Sequence, residues 1–279
     1  MRLIYYALGG GLGHLVRARA FLQMTELTAQ TTVLTHSEFA ADPRIVKGLN
    51  ILAVPNSLQE NAASFRAWLI RHIERLDAEC ICIDVFPAGI LGELCDLPSN
   101  LGLEFWHIAR LLRWEQYAPL IYGSAPCYTR VWCLEPLHCA HQQFLEAHSD
   151  RIEYLELIDA PMPDPIDCAD AFWLIVHSGP AAEVAEIIDY ADEIRTIENR
   201  DIELWVASKQ PPGKLPAATR ILDAFPAQIY FAAAERIFSA AGFNVMRQTR
   251  THRQKQVVLP MPRRYDDQFE RARRCQIER

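Results

Sequence analysis

The stretch Met1-Arg-Leu-Ile-Tyr-Tyr-Ala-Leu-Gly9-Gly-Gly-Leu-Gly-His14-Leu-Val-Arg17 combines a short apolar run, four glycines within five residues and the start of a helical pattern. Glycine lets a strand turn sharply into a helix, because it adopts backbone angles that other residues avoid. It also lets an anion approach the backbone N–H groups at a helix N-terminus, where the helix dipole favours negative charge. The stretch therefore predicts a strand, a phosphate-binding turn and a helix, and a nucleotide or sugar-phosphate ligand.

The composition is that of a folded protein with one large domain or two smaller ones. The chain has 279 residues, of which 50% are hydrophobic and 23% are charged, and this length is enough to bury a substantial core. No apolar run approaches the roughly 20 residues of a membrane span, and the first residues lack the pattern of a secretory signal. We therefore expect a cytoplasmic protein.

The cysteines do not form a recognisable metal or redox pattern. Eight cysteines lie mostly inside apolar segments, without CxxC pairs, which favours reduced thiols in the core. The segment from Cys133 to His141 gathers two cysteines and two histidines, but its spacings match no common zinc site. No metal site is predicted.

The charge is distributed unevenly along the chain. The net charge is −7, yet residues 241–279 hold ten Lys and Arg against four Asp and Glu. The acidic remainder and the lack of aromatics between the cations argue against a nucleic-acid partner. The basic C-terminal region favours a single anionic ligand or peripheral contact with the cytoplasmic membrane.

Short unbroken apolar runs, many of them rich in β-branched residues, alternate with helical patterns in the first half of the chain. The predicted strands are 3–8, 31–35, 50–54, 80–85, 103–108 and 129–134. The predicted helices are 14–28, 57–76, 87–95 and 136–147. This alternation is typical of a doubly wound parallel sheet.

Three prolines within five residues interrupt this pattern at Asp159-Ala-Pro-Met-Pro-Asp-Pro165. Proline continues neither a helix nor a central strand. We therefore predict an N-terminal domain over 1–158, a linker over 159–169 and a C-terminal domain over 170–279. Strands are then expected at 171–177, 202–207, 228–231, 236–239 and 256–259, with helices at 181–191 and from residue 265. Two Rossmann-like halves result.

The second half contains further turns suited to ligands. A predicted strand runs into Ser178-Gly-Pro, and proline is a favoured first helical residue. An anion can bind there, although such junctions also serve as plain connections. A small-residue turn at Gly242 opens another helix, and Asp266-Asp-Gln268 opens the last one. Carboxylates cap helices, while an amide beside carboxylates at the carboxyl end of a strand also suits sugar hydroxyls.

Together these motifs resemble those of GT-B glycosyltransferases, in the group around the peptidoglycan N-acetylglucosaminyltransferase (family 28-like). The segments that carry the resemblance are Gly9–Arg17, Ser239-Ala-Ala-Gly242-Phe-Asn and Pro260 to Ala272 with its Asp267-Gln268 pair. The resemblance implies an α/β fold of two Rossmann-like, doubly wound parallel-sheet domains that face each other across a cleft. It also implies transfer of a sugar from a nucleotide-activated donor, a UDP-sugar, to an acceptor hydroxyl without a metal or other cofactor.

The resemblance also implies roles for individual residues. His14 is the candidate catalytic base, and Asp267 and Gln268 are expected to contact the donor sugar. The implied donor and phosphate contacts are Gly11, Gly13, Ser178, Gly179, Gly242, Asn244, Gln248, Asp267 and Gln268. Gln248 departs from the family, which usually has a glutamate there that holds the ribose hydroxyls. An amide still bonds to a diol, but without charge assistance.

Two alternatives remain open. Gly11-Leu-Gly-His14-Leu-Val-Arg17 equally resembles the start of the sugar-nucleotide hydrolase of pseudaminic acid biosynthesis, in which the histidine is thought to activate water. A non-catalytic nucleotide-sugar-binding homologue is the other, and Gln248 favours it. A histidine near neutral pKa takes a proton from either a sugar hydroxyl or water. Arg17 is expected to form a surface ion pair, and Asp84, at the end of a predicted strand, to border the acceptor.

Overall fold

All strands in the computed structural model, which describes residues 1–159 and 161–277, run parallel to their neighbours in two separate sheets. The described residues divide into two compact units. The first runs to residue 159 and also includes Arg264–Asp266, whereas the second runs from Pro161 to Arg263 and resumes at Asp267. The prediction of two Rossmann-like parallel sheets is confirmed. No helix among the described residues is long and apolar enough to cross a membrane.

The first unit contains a seven-stranded sheet with the order β3-β2-β1-β4-β5-β6-β7. Its strands are β1 (Leu3–Tyr6), β2 (Thr31–Thr35), β3 (Asn50–Ala53), β4 (Cys80–Asp84), β5 (Glu104–Ala109), β6 (Arg130–Cys133) and β7 (Ile152–Tyr154). Its helices are α1 (Leu12–Met24), α2 (Ala62–Leu76), α3 (Trp114–Tyr117) and α4 (Cys139–His148). Every residue of β1 and β4 is buried, as expected for parallel strands that are covered on both faces.

The second unit contains a five-stranded sheet with the order β10-β9-β8-β11-β12. Its strands are β8 (Phe172–Val176), β9 (Glu203–Ala207), β10 (Thr219–Leu222), β11 (Arg236–Ser239) and β12 (Gln256–Val258). Its helices are α5 (Ala181–Ile197), α6 (Phe243–Gln248) and α7 (Gln268–Ile277). Each unit has buried hydrophobic clusters of its own, among them one that contains Tyr6 and Leu69 in the first unit and one that contains Trp173 and Ile187 in the second.

Two predicted elements are wrong. Residues 87–95 form turns instead of a helix, because Gly89 and Gly92 have φ angles of 87° and 78°, outside the range of a right-handed helix. Residues 228–230 belong to a short 3₁₀ segment, Ala227–Tyr230, which follows Pro226, and residue 231 is the C-cap of that segment. In addition, the strands β7 and β10 were not predicted, since both are short and largely exposed or half-buried.

Candidate active site

The strand order of the first sheet reverses between β1 and β4. From β1 the chain proceeds outward through β2 and β3, and then crosses to β4 on the other side of β1. Tyr6, the last residue of β1, pairs with Ile83 in β4. The glycine turn after β1 and Asp84 at the end of β4 therefore lie at the same switch point. Open α/β sheets bind their ligands at such points, outside the carboxyl ends of the strands.

The glycine turn approaches the ring of His14 closely. Gly9 and Gly10 have φ angles of 144° and 72°, values that side chains disfavour. A Cβ on Gly9 would lie only 2.1 Å from Nε2 of His14. Gly11 is the N-cap of α1 in an extended conformation, and Gly13 lies in its first turn. The positions that need glycine are thus Gly9 and Gly10, which precede the two glycines that were predicted as contacts.

His14 and Arg17 project from α1 onto the same carboxylate. Nδ1 of His14 lies 2.6 Å from Oδ2 of Asp84, while Nε and Nη2 of Arg17 donate to Oδ1 and Oδ2 at 2.9 and 2.8 Å. All three residues are buried: His14 is 6% exposed, Arg17 is 2% exposed and Asp84 is 0% exposed. An ionised carboxylate only accepts hydrogen bonds, so Nδ1 of His14 must carry the proton. In the neutral ring this leaves Nε2, next to Gly9, as the free base.

The charges of this cluster follow from burial and pairing. Burial lowers the pKa of His14 to about 4, and Arg17 and Arg110 act in the same direction against the opposing effect of Asp84. Burial alone would raise the pKa of Asp84, but Arg17 and His14 hold it well below its usual range. At neutral pH the cluster therefore consists of an anionic Asp84, a cationic Arg17 and a neutral His14.

An aromatic wall lies beside His14. The ring of Phe86 stacks on His14 with centroids 6.0 Å apart and on Tyr117 with centroids 5.6 Å apart. The Tyr117 hydroxyl accepts from the N–H of Ala88 at 2.9 Å and donates to the carbonyl of Gly89 at 2.8 Å. These bonds fix the loop that follows β4, and with it the position of Phe86.

A second buried carboxyl, that of Glu93, stabilises the same loop. Glu93 is fully buried, contacts the hydroxyl of Tyr6, and accepts from the N–H of Leu91 at 2.8 Å. Burial raises the pKa of Glu93 to about 7, although the backbone N–H groups of Leu91 and Ile90 oppose this. Glu93 thus holds a proton in the neutral range, where an exposed glutamate does not.

The predicted phosphate turn of the second unit holds an acidic side chain. Glu183 lies in the first turn of α5. Its two carboxylate oxygens accept from Nη1 and Nη2 of Arg263, each at 2.5 Å, and Oε2 lies 2.7 Å from Nε2 of His177. A Cβ on Gly179 would lie 2.3 Å from that same Nε2 and 2.5 Å from the carboxylate. Burial would raise the pKa of Glu183, but Arg263 and His177 lower it below its usual value. Ser178 and Gly179 therefore adjoin a cluster of one anion and two basic groups.

The other predicted donor contacts lie in the second unit, where several have structural partners. Gly242 is the N-cap of α6, Asn244 is in its first turn and Gln248 is its last residue. Oδ1 of Asp267 accepts from the N–H of Glu270 at 3.1 Å and so caps α7.

Gln268 is buried and joins the ends of two strands. Its Oε1 accepts from the N–H groups of Ala241 and Met261, at 3.2 and 3.0 Å, just beyond β11 and β12. The proposed contact of Asp267 and Gln268 with a donor sugar stays a prediction.

The structure differs from the sequence analysis at two ion pairs, that of Arg17 with Asp84 and that of Arg110 with Asp266. The prediction of a surface ion pair for Arg17 is wrong, because its partner Asp84 lies in the interior. The spacing of His14 and Arg17 is a sequence signal for this arrangement, since positions three apart lie on the same face of a helix. Nη1 of Arg110, just after β5, pairs with Oδ1 of Asp266 at 2.8 Å. No motif indicated that pair, which joins positions far apart in the sequence.

The architecture of the chain is the GT-B fold of glycosyltransferases. The glycosyltransferase SnogD from Streptomyces nogalater is similar with a TM-score of 0.59 and 15% identity over 93% of this chain and 81% of its own. The spinosyn rhamnosyltransferase SpnG complexed with thymidine diphosphate has a TM-score of 0.56 and 14% identity over 98% and 83%. The complex of MnaA from S. aureus with UDP has a TM-score of 0.60 and 10% identity over 94% and 80%. No model of a known protein family and no curated protein sequence matches the chain.

Proposed function

We propose that the chain is an enzyme that transfers a sugar from a nucleotide-activated donor to an acceptor hydroxyl, with His14 as the general base. The observation that carries the proposal is the His14 ring, whose Nδ1 lies 2.6 Å from the buried carboxylate of Asp84 at the switch point of the first sheet. The fold supports it, as do the nucleotides bound in two of the similar structures, thymidine diphosphate in SpnG and UDP in MnaA.

In the proposed reaction the acceptor hydroxyl gives its proton to Nε2 of His14 while its oxygen attacks the anomeric carbon of the donor sugar. The bond between that carbon and the phosphate oxygen breaks, and the nucleoside diphosphate leaves with the electron pair. Asp84 holds the Nδ1 proton and stabilises the imidazolium that forms, while Arg17 keeps Asp84 ionised and oriented. Such base assistance contributes about 10² to 10⁴ in rate.

The leaving diphosphate needs positive charge or oriented N–H groups, which this fold offers at helix N-termini. We assign that role to the turns with Gly11 and Gly13 before α1 and with Ser178 and Gly179 before α5. Gly242, Asn244 and Gln248 are proposed to contact the nucleotide, and Asp267 and Gln268 the sugar. We propose a UDP-sugar as donor and a transfer that uses no metal.

A hydrolase is the second candidate, because the same His14 could deprotonate water instead of a sugar hydroxyl. Incubation with sugar nucleotides alone separates the two reactions. Rapid release of free sugar without an acceptor supports the hydrolase, whereas turnover that requires an acceptor supports the transferase. A non-catalytic binding protein, which Gln248 favours, would bind nucleotides and turn none of them over.

The test is a panel of UDP- and dTDP-sugars offered with and without sugar acceptors to wild type and to His14→Gln. We expect the substitution to lower turnover by about 10² to 10⁴ while nucleotide binding, measured by calorimetry, persists. His72→Gln is the control, since His72 bonds to the carbonyl of Trp68 on α2, away from the cluster. Unchanged turnover in His14→Gln would overturn the base assignment, and the lack of both binding and turnover would overturn the proposed function.

A further inference from the structure

Three residues late in the sequence belong to the first unit. After Arg263 the chain leaves the second unit, contributes Arg264–Asp266 to the first, and returns to the second at Asp267. We call Arg264–Asp266 the strap. The residues on both sides of the strap are fixed in the second unit, Arg263 by Glu183 and Gln268 by the N–H groups of Ala241 and Met261.

Backbone and ring contacts hold the strap in the first unit. The carbonyl of Tyr265 accepts from the N–H of Arg113 at 2.7 Å, and Leu112 forms an antiparallel bridge with Asp266. The ring of Tyr265 meets Tyr117 edge-on at 90° and Phe86 at 73°, each with centroids 5.7 Å apart. Such edge-to-face geometry is favourable beyond the area that the rings bury.

Tyr265 and Asp266 of the strap each contact a residue that in turn acts on His14. Tyr265 packs on Phe86, and Phe86 stacks on the His14 ring. Asp266 pairs with Arg110, a largely buried arginine whose charge acts on His14. One contact thus fixes the wall beside the ring, and the other compensates a cation in its neighbourhood.

We infer that the strap is a positioning element of the His14 site, in which Tyr265 fixes Phe86 against the ring and Asp266 compensates Arg110. Its consequence for catalysis rests on the proposed function, whereas its effect on His14 does not. This assigns Tyr265 and Asp266 a role in the first unit, whereas the adjacent Asp267 and Gln268 were expected at the donor sugar.

The charged groups around His14 give the inference a direction. Asp84 at the end of β4 favours the protonated ring, while Arg17 on α1 and Arg110 after β5 disfavour it, and Asp266 lies beyond Arg110. Removal of the Asp266 charge takes a carboxylate from beside Arg110, strengthens the effect of that cation on the ring and so lowers the pKa of His14. Removal of the Arg110 charge instead leaves a carboxylate and raises the pKa of His14. The double variant Arg110→Gln with Asp266→Asn cancels both effects.

The experiment is an NMR titration of the His14 ring in the full chain labelled at histidine Cε1 and the ring nitrogens. We expect Asp266→Asn to lower the His14 midpoint and Arg110→Gln to raise it, each by about half a pH unit, a threefold change in proton affinity. The double variant should return the midpoint to the wild-type value. Glu270→Gln on α7 is the control, since Glu270 pairs with Arg273 and Arg274 and should leave the midpoint unchanged.

The role of Tyr265 is tested by Tyr265→Leu, which removes the ring, with Tyr265→Phe as the conservative variant. We expect the leucine variant to shift the ring resonances of His14 at pH 7 and the phenylalanine variant to restore them. Folded single variants whose His14 midpoint and resonances equal those of wild type would overturn the inference. If the midpoints shift as expected but no sugar nucleotide is turned over, the strap assignment stands and the proposed function fails.

Discussion

At the scale of single residues, the carboxylate of Asp84 serves two partners. Arg17 takes both oxygens in a bidentate pair, and His14 shares Oδ2 with it. Asp84 raises the pKa of His14, but burial together with Arg17 outweighs this effect, so the pKa of the ring lies below its ordinary value. The role of Asp84 is therefore to fix the tautomer and orientation of His14, which leaves Nε2 as the acceptor.

Asp84→Asn tests this role. Asparagine keeps the shape of the side chain but removes the charge, so the buried Arg17 loses the carboxylate of its ion pair, which costs about 3–5 kcal/mol of unfolding free energy. The asparagine amide also no longer selects the Nδ1–H tautomer of His14. Turnover by the folded fraction of the variant should therefore fall at least about tenfold. Urea unfolding and steady-state turnover are the measurements. A variant with wild-type stability and turnover would contradict the assignment.

The pKa of His14 predicts the acid limb of the pH profile. With a pKa of about 4 in the folded chain, the ring stays neutral, and kcat/KM should remain level from pH 7.5 down to about 5. Its contribution to stability is complete above the unfolded value of about 6.5 and is lost as the pH falls towards 4, because only the unfolded chain takes up the proton there. In His14→Gln this loss of stability should disappear from urea unfolding series. An acid limb near pH 6.5 would show that the ring is not desolvated.

Glu93 predicts the opposite dependence. Its pKa in the folded chain, about 7, lies above the ordinary 4.5, so the folded chain keeps a proton that the unfolded chain releases. The contribution is complete below pH 4.5 and is lost as the pH rises through 7, a change of about 3 kcal/mol. Glu93→Gln imitates the protonated form and should remove this dependence. Tyr6→Phe keeps the carboxyl and should retain it, and a glutamine variant with the wild-type pH dependence would contradict the assignment.

At the scale of elements, the turn between β1 and α1 is built around the ring of His14. Gly9→Ala should push that ring away, because the new Cβ would fall 2.1 Å from Nε2 and the φ of 144° disfavours a side chain. We expect turnover to fall by at least about tenfold and the ring resonances of His14 to move.

Gly48→Ala is the matched control for this turn. Gly48 also has a positive φ, 81°, but a Cβ there would meet nothing within 4 Å. It should cost about 1 kcal/mol of stability and leave turnover unchanged. Equal effects of the two substitutions on turnover would show that backbone strain alone matters.

Apolar runs made the central strands predictable, and turn chemistry explains the exceptions. β1 and β4 are buried throughout, so their sequences are unbroken apolar runs. β10, with two exposed central residues, lacks such a run. The predicted helix over 87–95 is wrong for a different reason: Tyr117 holds the backbone of Ala88 and Gly89 in turns through hydrogen bonds that span 29 and 28 positions. The sequence of 87–95 does not indicate that Tyr117 is the partner of its backbone.

The site was only partly predictable for the same reason. His14 stands out beside the glycine turn, and Asp84 was noted at the end of a strand, but their contact joins positions 70 residues apart. It depends on β4 lying beside β1, which is a property of the strand order. Arg110 and Asp266 are 156 positions apart. Their pairing depends on the return of Arg264–Asp266 to the first unit, which no sequence motif indicates.

At the scale of the whole molecule, each of the two units packs around hydrophobic clusters of its own, and the chain passes between the units more than once. The core of the first unit contains Leu69, and that of the second contains Ile187, both fully buried. The strap carries three residues of the later sequence into the first unit, where the carbonyl of Tyr265 holds the N–H of Arg113. Sequence order therefore does not decide which core stabilises a given residue.

Leu69→Ala and Ile187→Ala test this division by hydrogen exchange. Each substitution leaves a cavity and should cost about 2–5 kcal/mol in its own core. Leu69→Ala should speed exchange in β1 and β4 and at the N–H of Arg113, because the strap follows the first unit. Ile187→Ala should speed exchange in β8 and β11 and at the N–H groups of Ala241 and Met261, which depend on Gln268. If either substitution sped exchange equally in both units, the two cores would unfold as one cooperative system. If the N–H of Arg113 instead responded to Ile187→Ala alone, the strap would belong energetically to the second unit.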